Sequence, residues 1–138
     1  MGQQQLLLIV LGVIIVGIAI VIGAFPAFVN GLELANKDAV THDCIKIASA
    51  AQGYYQKDPM LGGGGQSFDG ITIQDVGMYA NLSGKGENDN GIYEVTGNGD
   101  VCTIVGYSKF ERDGGGTELT CTIVVRPAKM EDPVYAGW

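Results

Sequence analysis

LLLIVLGVIIVGIAIVIGAFPAFV, residues 6–29, contains no charged side chain. A helix of this length spans the roughly 30 Å hydrocarbon core of a bilayer at about 1.5 Å of rise per residue. The stretch therefore reads as a membrane-resident helix. A cleavable secretory signal fits poorly, because no Lys or Arg precedes Leu6 and the apolar run is longer than a signal-peptide core. A plain single-pass anchor has the same length and hydropathy, so the flanking sequence has to separate it from a helix built for assembly.

Within the run, Gly12, Gly17 and Gly23 are small enough to let neighbouring helices approach, although they do not follow a four-residue small-xxx-small repeat. Pro26 lacks an amide donor and restricts Phe25, which predicts a kink or a locally melted turn near Gly23 to Gly31. Beyond Asn30, Val40, Cys44, Ile47, Ala48, Ala51 and Tyr55 recur at spacings of three and four, the stripe of an amphipathic helix. Lys37, Asp43, Lys46 and Gln56 then face solvent. Asp58, Pro59 and Gly62 to Gly65 stop the helix near Lys57. Three segments follow: an apolar helix over 1–29, its amphipathic continuation over 30–58, and a glycine-rich loop with a head domain over 59–138. One helix from Leu6 to Lys57 would be about 80 Å long.

Every charged side chain lies at or after Glu33, so the formal net charge of −7 belongs to the water-soluble part. An acidic surface repels phosphates, and the basic residues are scattered singly, which argues against a nucleic-acid partner. About a hundred residues remain outside the apolar run, enough for one small domain.

After Ser67 the pattern changes to short β-type runs over Ile71–Ile73, Ile92–Thr96, Val101–Ser108 and Glu118–Val125. In the last, Leu119, Cys121, Ile123 and Val125 alternate with polar neighbours, the period of a strand with one buried face. Gly97-Asn98-Gly99-Asp100 is a tight turn signal, and Arg112 to Gly116 is a looser one. The fold class expected is α+β: a long helix, apolar and then amphipathic, packed on a small antiparallel meander. Val134, Tyr135 and Trp138 in the tail are apolar enough to pack back onto this domain or onto a neighbouring subunit.

A charge-free helix, a proline within it, an amphipathic continuation and a small antiparallel sheet, in this order, resemble type IV pilins and the related pseudopilins. Ala50-Ala51-Gln52-Gly53-Tyr54-Tyr55, Gly62 to Gly65 and Ser67-Phe68-Asp69-Gly70-Ile71-Thr72 look like segments of bacterial pilin-like proteins. The resemblance implies a pilin-like fold, anchoring in the inner membrane before assembly, and packing of identical helices into an extracellular, cell-surface filament. In the family's leader pattern Gly2 would be the leader glycine and Gln3 the first mature residue. Two departures stand out: no basic residue forms a leader, and Leu7 occupies the position at which the family carries Glu.

Catalysis finds little support. His42, the single histidine, is adjacent to Asp43 on a helix, where neighbours point about 100° apart and form no natural dyad. No enzyme activity and no cofactor are expected. The cysteines lack C-x-x-C metal spacing. Glu87, Asp89 and Asn90 lie in an oxygen-rich loop that is a weak calcium candidate without the EF-hand pattern; a solvated turn is the simpler reading. Asn81-Leu82-Ser83 fits the glycosylation acceptor pattern.

Cys44, Cys102 and Cys121 suggest one disulfide and one buried thiol, or three reduced core thiols. A hairpin closing between Ser108 and Gly116 places Cys102 nearly opposite Cys121, so that pairing is favoured, with Cys44 as a competitor for either. Taken together, the sequence predicts a homo-oligomeric filament subunit assembled through Leu6, Leu7, Leu8, Gly12, Gly17, Gly23 and Pro26. The rival readings are a pseudopilin of a secretion system and a membrane-anchored extracellular binding module.

Overall fold

The computed structural model describes residues 2–110 and 118–138. The chain divides into two compact units, Met1–Leu34 and Ala35–Trp138. Helix α1 (Gly2–Gln56) supplies the first unit and the opening element of the second. It is followed by a 3-10 turn, Pro59–Leu61, and strands β1 (Gly86–Glu87), β2 (Gly91–Asn98), β3 (Val101–Ser108), β4 (Thr120–Val125) and β5 (Val134–Ala136). The strands form one antiparallel sheet in sequence order. This is the α+β class expected, with a single long helix before a meander.

The helix remains α-helical through Pro26, so of the kink or locally melted turn expected near Gly23 to Gly31 the melted turn does not form. Pro26 costs the one hydrogen bond its missing amide would have donated to the carbonyl of Ile22. Melting the turn would orphan several more backbone groups in an apolar stretch, and losing one bond is the cheaper outcome.

At the other end of α1 the glycine-rich loop acts as a cap. Asp58 Oδ1 accepts from the Met60 amide at 3.1 Å, and Gly62 adopts φ +82°, a left-handed conformation that turns the chain back. The amides of Gly64 and Gln66 then donate to the carbonyls of Tyr54 and Tyr55, each at 2.8 Å, and Gly65 donates to Lys57 at 3.0 Å. Helix carbonyls that would otherwise be unpaired are satisfied by the loop that ends the helix.

The head unit closes around the stripe read from the sequence. Val40, Cys44, Ile47, Ala48 and Ala51 are buried, with Tyr55 packed beside them. They meet the inward residues of the sheet: Tyr93 of β2, Cys102 and Ile104 of β3, and Cys121, Ile123 and Val125 of β4. Gly106 is where helix and sheet come closest. A Cβ there would lie 2.6 Å from Cys44 Sγ, 2.9 Å from Val40 Cγ1 and 3.1 Å from Tyr93 Cε1. Gly106→Ala is therefore expected to push the helix off β3 and to destabilise the head by about 2 kcal/mol, as overpacking of a core does. Chemical denaturation followed by near-UV circular dichroism measures this, and an unchanged midpoint would mean that the helix does not rest on β3 at this point.

One reading of the sheet is corrected. Ile71–Ile73 is not a strand: Asp75 Oδ2 accepts from the Thr72 amide at 2.8 Å and from its hydroxyl at 2.7 Å, while the Asp75 amide donates to the Thr72 carbonyl at 3.1 Å. These bonds close a turn. The burial of Ile71, Ile73 and Val76 is that of a turn laid on the core, and it imitates strand alternation. The tight turn at Gly99-Asp100 forms as expected, with Gly99 at φ +58°, whereas the looser turn expected at Arg112 to Gly116 lies outside the described residues. The tail packs on its own domain. β5 pairs with β4, Trp138 Nε1 donates to the Thr120 carbonyl at 2.9 Å, and Lys37 Nζ sits 4.1 Å from the centre of the Tyr135 ring.

Candidate functional site

From Leu6 to Phe28, 16 large apolar side chains are exposed, ranging from 47% at Val10 to 69% at Leu7. They surround the whole circumference of α1 and do not form one stripe, so this is not the solvent-facing half of an amphipathic helix. The segment is long and apolar enough to cross a membrane, and none of its most apolar window is buried against the chain. Covering such a side chain is worth about 1.5–3 kcal/mol, so 16 of them carry a driving force in the tens of kcal/mol. Apolar surroundings, lipid or protein, suit this surface better than water does.

Leu6, Leu7 and Leu8 lie on this surface, as do Gly12, Gly17, Gly23 and Pro26. A Cβ built at Gly12, Gly17 or Gly23 meets no atom within 4 Å. Nothing in the chain's own packing requires those glycines.

The oxygen-rich loop between β1 and β2 has a different role from the one its composition suggests. Asp43 is half-buried and turned to the sheet: its Oδ2 accepts from Asn88 Nδ2, Asn90 Nδ2 and the Tyr93 hydroxyl, each at 2.8 Å. Asn88 Oδ1 in turn accepts from the amides of Asn90 and Gly91 at 2.9 Å, and Asn90 offers its carbonyl to Asn36 Nδ2 at 3.3 Å. The loop is clamped to the helix by amide donors converging on one carboxylate, so the solvated turn is corrected to a docked one. Burial pushes the Asp43 carboxyl up, but the bonds from Asn90, Asn88 and Tyr93, with the charge of Lys46, hold it below the ordinary carboxylate value. Burial, and then the bond to Asp43, push the Tyr93 phenol up.

The calcium candidates do not converge. Glu87 pairs with Lys109 Nζ at 2.6 Å and accepts from Asn81 Nδ2 at 3.4 Å; Asp89 is exposed, and the amide of Asn90 is turned toward Asp43. Among the described residues no group of three His, Cys, Asp or Glu side chains is arranged to hold a metal ion. His42 is exposed while the Asp43 carboxylate is directed at the sheet, so the two form no dyad. Asn81 occupies an exposed turn, its side-chain oxygen accepting from the amides of Ser83 at 2.9 Å and Lys85 at 3.1 Å.

The favoured disulfide is also corrected. In the β3–β4 register Cys102 faces Val125 and Cys121 faces Gly106, four residues apart along the ladder. At about 3.3 Å per residue that is roughly 13 Å, beyond the 7 Å or so that a disulfide bridges between Cα atoms. All three thiols are free and buried. Cys44 contacts Cys121 instead: its thiol donates toward the Cys121 carbonyl at 4.0 Å.

No protein-family model, curated protein or solved structure matches this chain.

Proposed function

We propose that the chain is a structural subunit of an extracellular, pilus-like filament, held in a membrane before assembly and polymerised through its apolar helix. The observation that carries this reading is the fully uncovered helix Leu6 to Phe28, joined in one chain to a head unit with a closed core of its own. An apolar helix leaving a bilayer must exchange lipid for equally apolar neighbours, and identical helices supply them. Glycines at 12, 17 and 23, with no intramolecular role, fit close approach between such helices. The head then forms the filament surface, and its net charge of −7 keeps that surface soluble.

The test combines electron microscopy of sheared cell-surface material with the solution state of the fragment Ala35–Trp138. Fibres containing the chain are expected, and the fragment should fold and remain monomeric in sedimentation. A fragment that polymerised unaided would remove the helix from the mechanism. Fibre-free cells with the chain retained in the membrane fraction would favour an anchored module.

A further inference from the structure

We propose that Cys44 and Cys121 form an oxidisable pair whose disulfide staples α1 to β4. The two residues are 77 positions apart and both are fully buried. They meet at the seam where the helix lies on the sheet. Gly106, the rung partner of Cys121, makes the approach possible, since a side chain there would occupy the place of the Cys44 sulfur. Thr41, one helical turn before Cys44, brings its hydroxyl within 3.9 Å of Cys121 Sγ. Gly106 and the Cys121 carbonyl thus lie against Cys44 Sγ and Thr41 against Cys121 Sγ, whereas Cys102 lies four rungs away.

The chemistry of the two sulfurs is unequal. Cys44 donates to Cys121 and is desolvated, which pushes its thiol well above the usual value. The bond received from Cys44 lowers Cys121; burial opposes this, and the Thr41 hydroxyl and the charge of Lys37 add to the lowering. Cys121 is accordingly the sulfur that ionises first and attacks. Cys121 pairs with Tyr135 of β5, a three-residue edge strand, and Tyr135 is itself 38% exposed. Displacing that short strand opens the pair.

The reaction needs a disulfide donor such as oxidised glutathione or a thiol–disulfide oxidoreductase. The Cys121 thiolate attacks one donor sulfur and expels the other as a thiolate, giving a mixed disulfide. Cys44, losing its proton, attacks the Cys121 sulfur and expels the second donor thiolate. The product is the Cys44–Cys121 disulfide and two donor thiols, with two electrons passed to the donor and the two thiol protons taken up by the leaving thiolates. Because the pair lies wholly within Ala35–Trp138, the inference stands apart from the filament reading. A tension applied along α1 would then reach the sheet through a covalent bond.

The test uses the full reduced chain in detergent, treated with oxidised glutathione both when folded and during refolding, then alkylated and mapped by non-reducing peptide mass spectrometry. A peptide joining Cys44 to Cys121 is expected, with Cys102 alkylated after denaturation. The head's melting temperature should rise by roughly 10 °C and fall back on reduction, as closing a long loop predicts. Cys102→Ala should leave the crosslink intact. Three alkylated thiols after both treatments, a crosslink containing Cys102, or a bond between two chains would overturn the proposal.

Discussion

In the filament proposed above, replacing Gly17 with Glu is expected to abolish assembly completely while the chain still enters the membrane and its head still folds. A charged side chain near the centre of a membrane helix costs about 3 kcal/mol on insertion scales. Of the 24 residues from Leu6 to Val29, 17 are Leu, Ile, Val or Phe, and these favour insertion by about 7 kcal/mol in total. Insertion therefore survives the substitution. Packing does not: between apolar helices the carboxylate has neither water nor a cation, since every basic side chain in the chain lies beyond Glu33. A Cβ at Gly17 touches nothing in the subunit, so the effect cannot arise from misfolding of the monomer. Gly17→Ala is the control for size without charge. Membrane fractionation, near-UV dichroism and microscopy of sheared material separate the steps. Filaments persisting when every subunit carries Gly17→Glu would show that this part of the helix lies outside the assembly interface.

Removing the Asp43 carboxylate is expected to be the most damaging single change in the head. Asp43→Ala withdraws the acceptor from three donors at once, among them the hydroxyl of Tyr93, a residue with no exposed surface. Hydrogen bonds to a charged group contribute about 1.5–3 kcal/mol each, and the three are not additive because they share one oxygen. A loss of about 3 kcal/mol follows, or about 12 °C or more in the melting temperature of a domain this size. The pH dependence identifies the charge as the cause. The folded carboxyl titrates below its ordinary value of 3.8, so its contribution is fully present above that value and disappears as the pH falls through the lower, folded one. Wild type and Asp43→Ala should differ fully at about pH 7 and converge under more acidic conditions. A difference that stayed constant into strong acid would mean that packing, and not the carboxylate, holds the loop.

Local pattern was enough for much of this molecule. The apolar run, the stripe Val40, Cys44, Ile47, Ala48 and Ala51, the stop at the glycine-rich loop and the inward alternation of β4 are all matters of residue type and period, and the structure has each of them. What only the tertiary structure decided is register and partner choice. Inward residues of β3 carry even numbers and those of β4 odd ones, so any pairing whose positions sum to an odd number preserves the alternation. A sum of 223 would oppose Cys102 and Cys121, while the observed pairing of Gly106 with Cys121 sums to 227. A slip of this kind moves no side chain to the other face, and hydrophobic pattern is blind to it. The choice rests on a contact from elsewhere in the chain: Gly106 has to lie beneath the sulfur of Cys44 for the helix to reach the sheet. The same holds for the loop of Asn88 and Asn90, whose composition suggests a cation site but whose amides find Asp43 more than 40 positions earlier. Hydropathy and periodicity are short-range properties that a sequence displays directly, whereas the pairing of a half-buried carboxylate, or of two thiols, depends on which surfaces meet when the core closes.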